Sequence, residues 1–261
     1  MTSRDNMTTH LTAPEQLGHL LSDAYAQKAP PVTVPAQFAP PDGAAAYLAQ
    51  AAFLQRHQLD IGGWKIGAKS EDGPIQGAPL PRQGIHVTGA VLSRRDFPVC
   101  GIEVEIMFRF DRDFLPDQSP CTEAQVLSSI GSIGTSIEIV SSRLAGWPDT
   151  PKLLQLADLQ NHGALIVSEF VDYRDDLDFR SPQAQLLFNG EPIFTGAGAN
   201  PAGDPRRLLC WLVGHCRQQN IALPAGTVIT AGSYTGMFFP KEAGTVSAEI
   251  AGLPGVTFTI A

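Results

Sequence analysis

One alternating segment, residues 101–110, constrains the fold more than any other part of the sequence. Its even-numbered positions are all aliphatic or aromatic, whereas its odd-numbered positions include Glu103, Glu105 and Arg109. Alternation over this length predicts a β-strand with one face in a hydrophobic core. Glutamate is depleted in strands, and two glutamates on one face repel each other. A compensating partner for these carboxylates is therefore expected.

A second candidate strand, residues 133–140, is an apolar run interrupted by a single carboxylate, Glu138. An ionised carboxylate in such a strand needs a cation, a hydrogen-bond network or a raised pKa. No histidine or cysteine lies beside Glu103, Glu105 or Glu138. Three carboxylates without nitrogen or sulfur neighbours are typical of an all-oxygen site for a hard divalent cation.

Ordinary ion pairs are the alternative explanation for these glutamates. Glu103 and Glu105 could form the solvated face of an amphipathic strand and pair with Arg109. Glu138 could pair with Arg143 at the end of its own strand. The spacing alone leaves both explanations open.

Three further segments each allow a structural and a functional interpretation. Lys65 is the single charged residue of a short predicted strand at 61–67, and it is either an edge residue that reaches solvent or a lysine directed into a site. Residues 68–84 are rich in Gly and Pro without periodicity, which predicts a structureless lid or surface loop. Residues 231–236 form a glycine-hydroxyl loop that could present N–H groups to an anion or be a plain turn.

Two polar residues near the middle of the chain are interpreted as structural. His162 lies between a predicted helix and a predicted strand, where a histidine is more often a hydrogen-bonding partner than a catalyst. Asp158, at the end of that helix, is interpreted as a capping or ion-pairing residue.

Composition limits the class of protein. A net charge of −8 and a pI near 5.2 argue against a nucleic-acid-binding protein, which would carry a basic surface. Apolar runs are too short for a membrane span, and the first seven residues lack the hydrophobic core of a signal peptide. The four cysteines show no zinc-binding spacing, so we expect reduced thiols in a cytoplasmic protein.

The chain divides into two regions by composition. Residues 1–60 predict two helices joined by a Pro-rich linker at 29–41, and their expected work is packing or contacts between subunits. Residues 61–261 predict roughly nine or ten short strands with helices between some of them. This order indicates an α+β fold with a large mixed or antiparallel sheet.

Six short motifs, taken in order, resemble the 2-keto-4-pentenoate hydratase and 4-oxalocrotonate decarboxylase group of the fumarylacetoacetate hydrolase superfamily. The motifs are Gly63–Gly67, Ile102–Ile106, Ser136–Arg143, Leu156–Asp158, Leu223–Gly226 and Thr230–Ser233. Each motif is weak alone, but their order and spacing are specific for the superfamily. The resemblance extends over about residues 12–258. The motifs are specific for the superfamily, but they do not distinguish well between its individual reactions.

The resemblance implies a bent mixed β-sandwich roll with outer helices and an N-terminal helical segment. It implies that Glu103, Glu105 and Glu138 hold a divalent cation, Mg²⁺ or Mn²⁺. The implied activity is a metal-dependent lyase that hydrates a 2-hydroxy-2,4-dienoate or 2-oxo-4-enoate through an enolate stabilised by the metal. Alternatives within the superfamily are a decarboxylase of the 4-oxalocrotonate type and a C–C bond hydrolase. A non-catalytic partner subunit is a further alternative.

The same resemblance implies roles for individual residues and for partners. Lys65 matches the catalytic lysine of the group, and we expect substrate contacts from Asn161 and Ser233. The expected partner is a small 2-oxo acid or dienol, with a homo-oligomeric assembly and a possible complex with an enzyme of the same pathway. Nucleic acid and membrane are not expected partners.

Two departures from the family pattern concern proton transfer. The family often has Asp-Asn-x-Ser where this chain has the sequence of residues 158–161. Many hydratases also place an acidic residue near the segment corresponding to residues 79–84, which here contains none. Glu71 and Asp72 are the acidic residues nearest to it. The group that exchanges a proton with Lys65 is therefore left open.

Overall fold

The computed structural model describes residues 11–261, and the first seven residues, considered above for a signal peptide, lie outside this range. The α-helices of the described residues are α1 (Ala13–Ala26), α2 (Gly43–Arg56), α3 (Glu123–Leu127), α4 (Lys152–Ala157) and α5 (Arg206–Gln218). The first strands are β1 (Ile61–Gly67), β2 (Gln76–Pro81), β3 (Ile85–Val87), β4 (Ala90–Leu92), β5 (Gly101–Phe110) and β6 (Ile130–Val140). The others are β7 (His162–Val167), β8 (Val171–Asp172), β9 (Gln183–Phe188), β10 (Glu191–Ala197), β11 (Val228–Ser233), β12 (Gly244–Ile250) and β13 (Val256–Ile260).

Two sheets carry the fold. The larger has the order β2-β1-β11-β5-β6-β7-β3, and β8 adds to one end of β6. Its β1–β11 and β3–β7 pairs are parallel, while its other pairs are antiparallel. The smaller sheet has the order β10-β9-β12-β13-β4. The prediction of an α+β fold with a mixed sheet is confirmed, and the strands curl into the expected roll.

The main core lies between the two sheets and α5. The even-numbered side chains of β5 enter it, and Ile102, Val104 and Phe108 are fully buried there. Burying an aliphatic or aromatic side chain contributes about 1.5–3 kcal/mol. Because side chains alternate along a strand, the odd-numbered side chains of β5 face the opposite side of the sheet. The core thereby fixes which face carries Glu103 and Glu105.

The N-terminal helices begin where the capping residues predict. Thr12 and Glu15 form a capping box at the start of α1, and Asp42 accepts the Ala45 N–H at the start of α2. The helices approach closely at Gly18, where a Cβ would lie 2.3 Å from the Ala49 carbonyl oxygen. The expected helices are therefore confirmed, while the domain boundary at residue 60 stays a prediction.

The expectation of a structureless segment at residues 68–84 is wrong for its second half. Residues 76–81 form strand β2, which pairs antiparallel with β1, and residues 82–84 form a single 3₁₀ turn. The strand is not evident in the sequence, because prolines such as Pro79 and Pro81 usually indicate a loop. Because β2 is an edge strand, the N–H groups that proline lacks are not needed by a further neighbour.

The hairpin prediction at Asn189 and Gly190 is confirmed. These residues join β9 to β10 with φ angles of 53° and 83°. Positive φ at both central positions is the requirement of a type I′ turn, and the Asn-Gly pair meets it with little strain.

Candidate functional site

The antiparallel register of β5 and β6 brings the three predicted glutamates together. Glu103 lies directly opposite Glu138, and Glu105 lies two residues further along the same face of β5. One carboxylate oxygen from each residue lies within 4.8 Å of the others. Glu138 is fully buried and Glu105 is 3% exposed, whereas Glu103 is half-buried, so two of the three carboxylates are shielded from solvent.

The neighbours of the cluster hold two of its carboxylates in fixed orientations. Glu105 Oε2 accepts hydrogen bonds from the Thr230 hydroxyl and from the Gly232 N–H, at 2.9 Å for the latter. Glu138 Oε1 receives the Lys65 ammonium at 2.6 Å and lies 3.0 Å from His162 Nδ1. Glu138 Oε2 is buried without a hydrogen-bond partner in the described protein. An unpartnered buried carboxylate oxygen is costly, and a cation would relieve that cost.

Burial and mutual repulsion give the three carboxylates different pKa values. Burial, together with the charge of Glu138, raises the pKa of Glu103 to about 7 and that of Glu105 to about 8. Burial would also raise the pKa of Glu138, but Lys65 and His162 outweigh it and hold that pKa below its usual value. For Lys65, burial is outweighed by Glu138 and the other two carboxylates, so its pKa is raised. The site therefore contains one permanent ion pair and two carboxyl groups that retain protons near neutrality.

The alternative ion pairs considered from the sequence do not form. Arg143 pairs with Asp158 and donates to the His162 carbonyl at 2.6 Å, so it does not neutralise Glu138. Arg109 lies over the ring of Phe170, 3.5 Å from its centroid. The structural interpretation of Asp158 as an ion-pairing residue agrees with this geometry.

Lys65 is an interior residue of the sheet, because β1 lies between β2 and β11. The alternative of an exposed edge lysine is therefore wrong. Its ammonium also donates to the Gln160 carbonyl at 3.1 Å. That carbonyl belongs to a left-handed turn, in which Leu159, Gln160 and Asn161 have φ of 49°, 52° and 59°. Such conformations cost roughly 1–2 kcal/mol for each non-glycine residue. The buried Arg143–Asp158 pair holds the turn in place.

A cavity of about 430 Å³ opens onto the carboxylate cluster. Lys65, Asn161 and Ser233 line it together with the three glutamates. The side-chain oxygen of Asn161 is buried without a protein partner among the described residues, whereas Ser233 donates to the Gly236 carbonyl at 3.3 Å. The cavity thus combines acidic groups, one buried ammonium and a free amide oxygen.

The acidic residues of the 68–75 turn lie away from the cavity. Glu71 pairs with Arg180 at 2.7 Å, and both side chains are largely exposed. Neither Glu71 nor Asp72 lines the cavity. The ionisable groups that do line it are the three glutamates and three lysines. Proton exchange in the cavity is therefore left to those groups and to solvent.

Sequence reasoning missed the contact between His162 and Glu138. His162 was interpreted as a structural hydrogen-bonding residue, and the structure gives it a carboxylate of the cluster as its partner. Burial lowers the pKa of His162, although Glu138 opposes the shift, so the ring is neutral. Its Nε2 atom is buried and unpartnered in the described chain. The alternation of β5 pointed to the glutamates, but no comparable pattern pointed to this histidine.

The cluster has the donor set of a hard-cation site. Oxygen ligands from carboxylates suit Mg²⁺, Mn²⁺ and Ca²⁺, and several carboxylates within ligating distance of one point are the usual arrangement. The unpartnered Glu138 Oε2 and the convergence of the three groups fit such a cation.

Comparisons with known proteins agree with this architecture, although no family profile matches the chain. The chain is 29% identical over 160 residues to a 2-keto-4-pentenoate hydratase of Burkholderia vietnamiensis, covering 60% of each chain. It is 26% identical to a 2-oxo-hept-4-ene-1,7-dioate hydratase of Escherichia coli, covering 72% of each. The aligned region thus spans about 60% of the length of the first of these relatives.

A solved structure extends the similarity over almost the whole chain. The 4-oxalocrotonate decarboxylase from Pseudomonas putida G7, complexed with magnesium and adipate, superposes with a TM-score of 0.84 at 20% identity. The match covers 98% of this chain and 100% of the other. At this identity the match concerns the fold.

The chain thus has the fold of the solved 4-oxalocrotonate decarboxylase, and its large sheet carries the carboxylate cluster and Lys65 on the face opposite the main core. The resemblance to the 2-keto-4-pentenoate hydratase and 4-oxalocrotonate decarboxylase group is confirmed by the comparisons, which match curated hydratases of the first name and a solved structure of the second. Among residues 11–261, no helix is both long and apolar enough to cross a membrane.

Proposed function

We propose that the chain is a divalent-metal-dependent lyase, a hydratase of a small 2-hydroxy-2,4-dienoate or 2-oxo-4-enoate. The observation that carries the proposal is the convergence of Glu103, Glu105 and Glu138 within 4.8 Å, beside Lys65 in one cavity. The similarity to the hydratases supports it, although the aligned region covers only part of those relatives.

The three glutamates are the proposed ligands of Mg²⁺ or Mn²⁺. A divalent cation held there supplies positive charge that stabilises an enolate-like oxygen of the substrate. The solved decarboxylase complexed with magnesium supports the choice of cation. Thr230 and Gly232 orient Glu105, while Lys65 and His162 orient Glu138 through one oxygen and leave its other oxygen free. The protein therefore pre-orients the ligands before the cation binds.

Lys65 is the proposed catalytic residue. Its raised pKa keeps the amine protonated in the metal-free protein, and two of its three protons are directed to Glu138 and the Gln160 carbonyl. The remaining N–H is available to a substrate oxygen or carboxylate in the cavity. We propose that Lys65 delivers this proton to the carbon that is protonated as the dienol converts to the keto form, and takes up the enol O–H proton in exchange. Asn161 and Ser233 are the proposed substrate-orienting residues.

A decarboxylase acting on a 4-oxalocrotonate-like diacid is the second candidate. Two exposed lysines, Lys69 and Lys152, line the cavity and would suit a second carboxylate. A C–C bond hydrolase is less well supported. The resemblance associates such hydrolases with a His–Glu pair that activates water, whereas His162 is fully buried behind Glu138 and does not line the cavity.

The proposed assembly is a homo-oligomer, with the N-terminal helices as expected contact elements and a complex with a pathway enzyme as a further proposal. Exposed Leu48 on α2 is an apolar side chain available for such a contact. We also propose a cytoplasmic location, in keeping with four free thiols. Light scattering at micromolar concentration measures the assembly, and a monomeric mass would contradict it.

Turnover of a panel of dienols and 2-oxo acids tests the proposed activity. Loss of the dienoate absorbance measures hydration, and release of CO₂ measures decarboxylation. We expect hydration that requires Mg²⁺ or Mn²⁺ and stops on chelation. Glu103→Gln should lower the rate at least roughly 100-fold. Glu249→Gln, an exposed residue of β12 outside the cavity, is the matched control and should retain the wild-type rate. If none of the acids is turned over, the non-catalytic alternative is favoured.

A further inference from the structure

The cavity differs in chemistry between its floor and its mouth. The floor holds the carboxylate cluster and Lys65, whose side chain is 12% exposed. The mouth holds two exposed lysines, Lys69 and Lys152. Apolar wall residues include Ala68, Pro74, Leu156 and Pro201. An elongated ligand would therefore meet charged groups at both ends and apolar surface between them.

Lys69 is held at the mouth by its own chain segment. It lies four residues beyond Lys65, so the two Cα atoms are at most about 14 Å apart. The turn that follows is anchored from outside, because Arg207 Nη2 donates to the Ser70 carbonyl at 3.0 Å and Arg180 pairs with Glu71. These contacts keep the Lys69 backbone against the cavity while its flexible side chain can reach across the opening.

Lys152 is held at the mouth by helix α4. Lys152, Gln155 and Leu156 line the cavity, and their i, i+3 and i+4 spacing places them on one face of the helix. Gln155 is fixed by a 2.8 Å hydrogen bond to the Thr150 carbonyl. The Lys152 ammonium lies 3.5 Å from the Gln155 side-chain oxygen, which keeps it near the opening.

Neither lysine is neutralised by the described protein. Within residues 11–261, Lys69 and Lys152 have no carboxylate within 4.0 Å, whereas Lys28 pairs with Asp96 and Lys65 pairs with Glu138. Both ammonium groups border one opening without a carboxylate partner in the described protein, so each would attract an anionic group placed there. The geometry therefore favours a bound anionic group at the mouth.

The charges of the lined cavity also match a dianion. A divalent cation at the cluster binds the three glutamates in their ionised form, and these balance the three lysines, so the cation leaves two positive charges. A substrate with two carboxylates neutralises both, and a substrate with one carboxylate leaves one uncompensated.

We propose that the physiological substrate is a 2-oxo or 2-hydroxydienoic acid with a second carboxylate at its far end, which Lys69 and Lys152 bind. This inference rests on the proposed function, because it assumes that the 2-oxo acid end lies at the carboxylate cluster. It assigns the two lysines a role in specificity: they select a diacid over a monoacid of the same length. The cluster itself acts on the end that both kinds of acid share.

A matched pair of saturated analogues tests the proposal without turnover. 2-Oxoheptanedioate and 2-oxoheptanoate have the same chain length and differ in the terminal carboxylate. Calorimetric titration of the Mg²⁺-loaded protein gives the dissociation constant of each, and their ratio is the measured quantity. Two exposed ion pairs predict that the diacid binds about tenfold tighter, with a preference that falls at high salt.

Variants at the mouth identify the groups responsible for this ratio. The double variant Lys69→Gln with Lys152→Gln should reduce the preference for the diacid to about twofold or less. Lys241→Gln removes the same charge from an exposed loop outside the cavity and should keep the wild-type ratio. Equal affinity for both acids in the wild type, or a preference that survives the double substitution, would overturn the inference and leave the proposed function standing. Absence of binding by both acids would overturn the proposed function as well.

Discussion

Metal binding should release protons, because two of the proposed ligands hold protons in the metal-free protein. The pKa of Glu103 is about 7 and that of Glu105 is about 8, since both carboxyls are buried beside Glu138. A hard cation binds the deprotonated carboxylates. At pH 6 both groups are largely protonated, so binding of Mg²⁺ or Mn²⁺ should release about two protons. At pH 9 both are ionised and the release should approach zero.

The same linkage fixes the pH dependence of affinity. With about two protons released, the association constant should rise roughly 100-fold for each pH unit below about 7 and level off above about 8. Calorimetric titration with Mn²⁺ in buffers of different ionisation enthalpy measures the protons directly. A release below about half a proton at pH 6, or an affinity independent of pH between 6 and 8, would refute the account of the buried carboxyls.

The metal-free protein should lose stability over the same range. The folded pKa of Glu105 lies above its unfolded value of 4.5, so the folded state favours the protonated carboxyl. This contribution is complete below about pH 4.5 and is lost as the pH rises through about 8. Roughly 3–5 kcal/mol of the free energy of unfolding is then lost between pH 5 and 9. Denaturant titrations with and without Mg²⁺ measure it, and the cation should offset the loss.

Three substitutions test other parts of the structure. Lys65→Ala should lower kcat at least roughly 100-fold. Metal binding that is retained in calorimetry would show that this loss is catalytic and not structural. His162→Ala should weaken Mn²⁺ affinity by about 10–100-fold because Glu138 loses an orienting partner, and His162→Asn should recover part of it by supplying a side-chain N–H. Gly18→Ala should lower the free energy of unfolding by about 1–3 kcal/mol, because its Cβ would lie 2.3 Å from a backbone oxygen. Gly43→Ala, with open space around its Cβ, is the matched control and should not destabilise the protein.

The cluster could be predicted from the sequence because strand periodicity constrains side-chain direction. The even-numbered positions of β5 are all apolar and therefore form its core face, which places Glu103 and Glu105 together on the other face. Glu138 disrupts an otherwise apolar strand, which is visible in the sequence without knowledge of the pairing. The resemblance implied that Glu138 joins the other two glutamates, whereas the register that sets Glu103 opposite Glu138 could not be derived from the spacing.

Other parts of the site depend on backbone geometry that leaves no local signal. The Gln160 carbonyl reaches Lys65 only because three consecutive non-glycine residues adopt left-handed conformations. The Glu138–His162 contact follows from the pairing of β6 with β7, which shifts register between Ile139 and Val140. Strand β2 was missed because its prolines usually indicate a loop. In each case a tertiary contact overrides the local preference of the sequence.

The position of the bound cation tests the central claim most directly. A crystal of the protein soaked with Mn²⁺, measured by anomalous scattering, should show one strong peak among the carboxylates of Glu103, Glu105 and Glu138. The account predicts ligand distances of about 2.0–2.6 Å from all three residues. A peak at another position, or an empty cluster at saturating Mn²⁺ and pH 8, would contradict it.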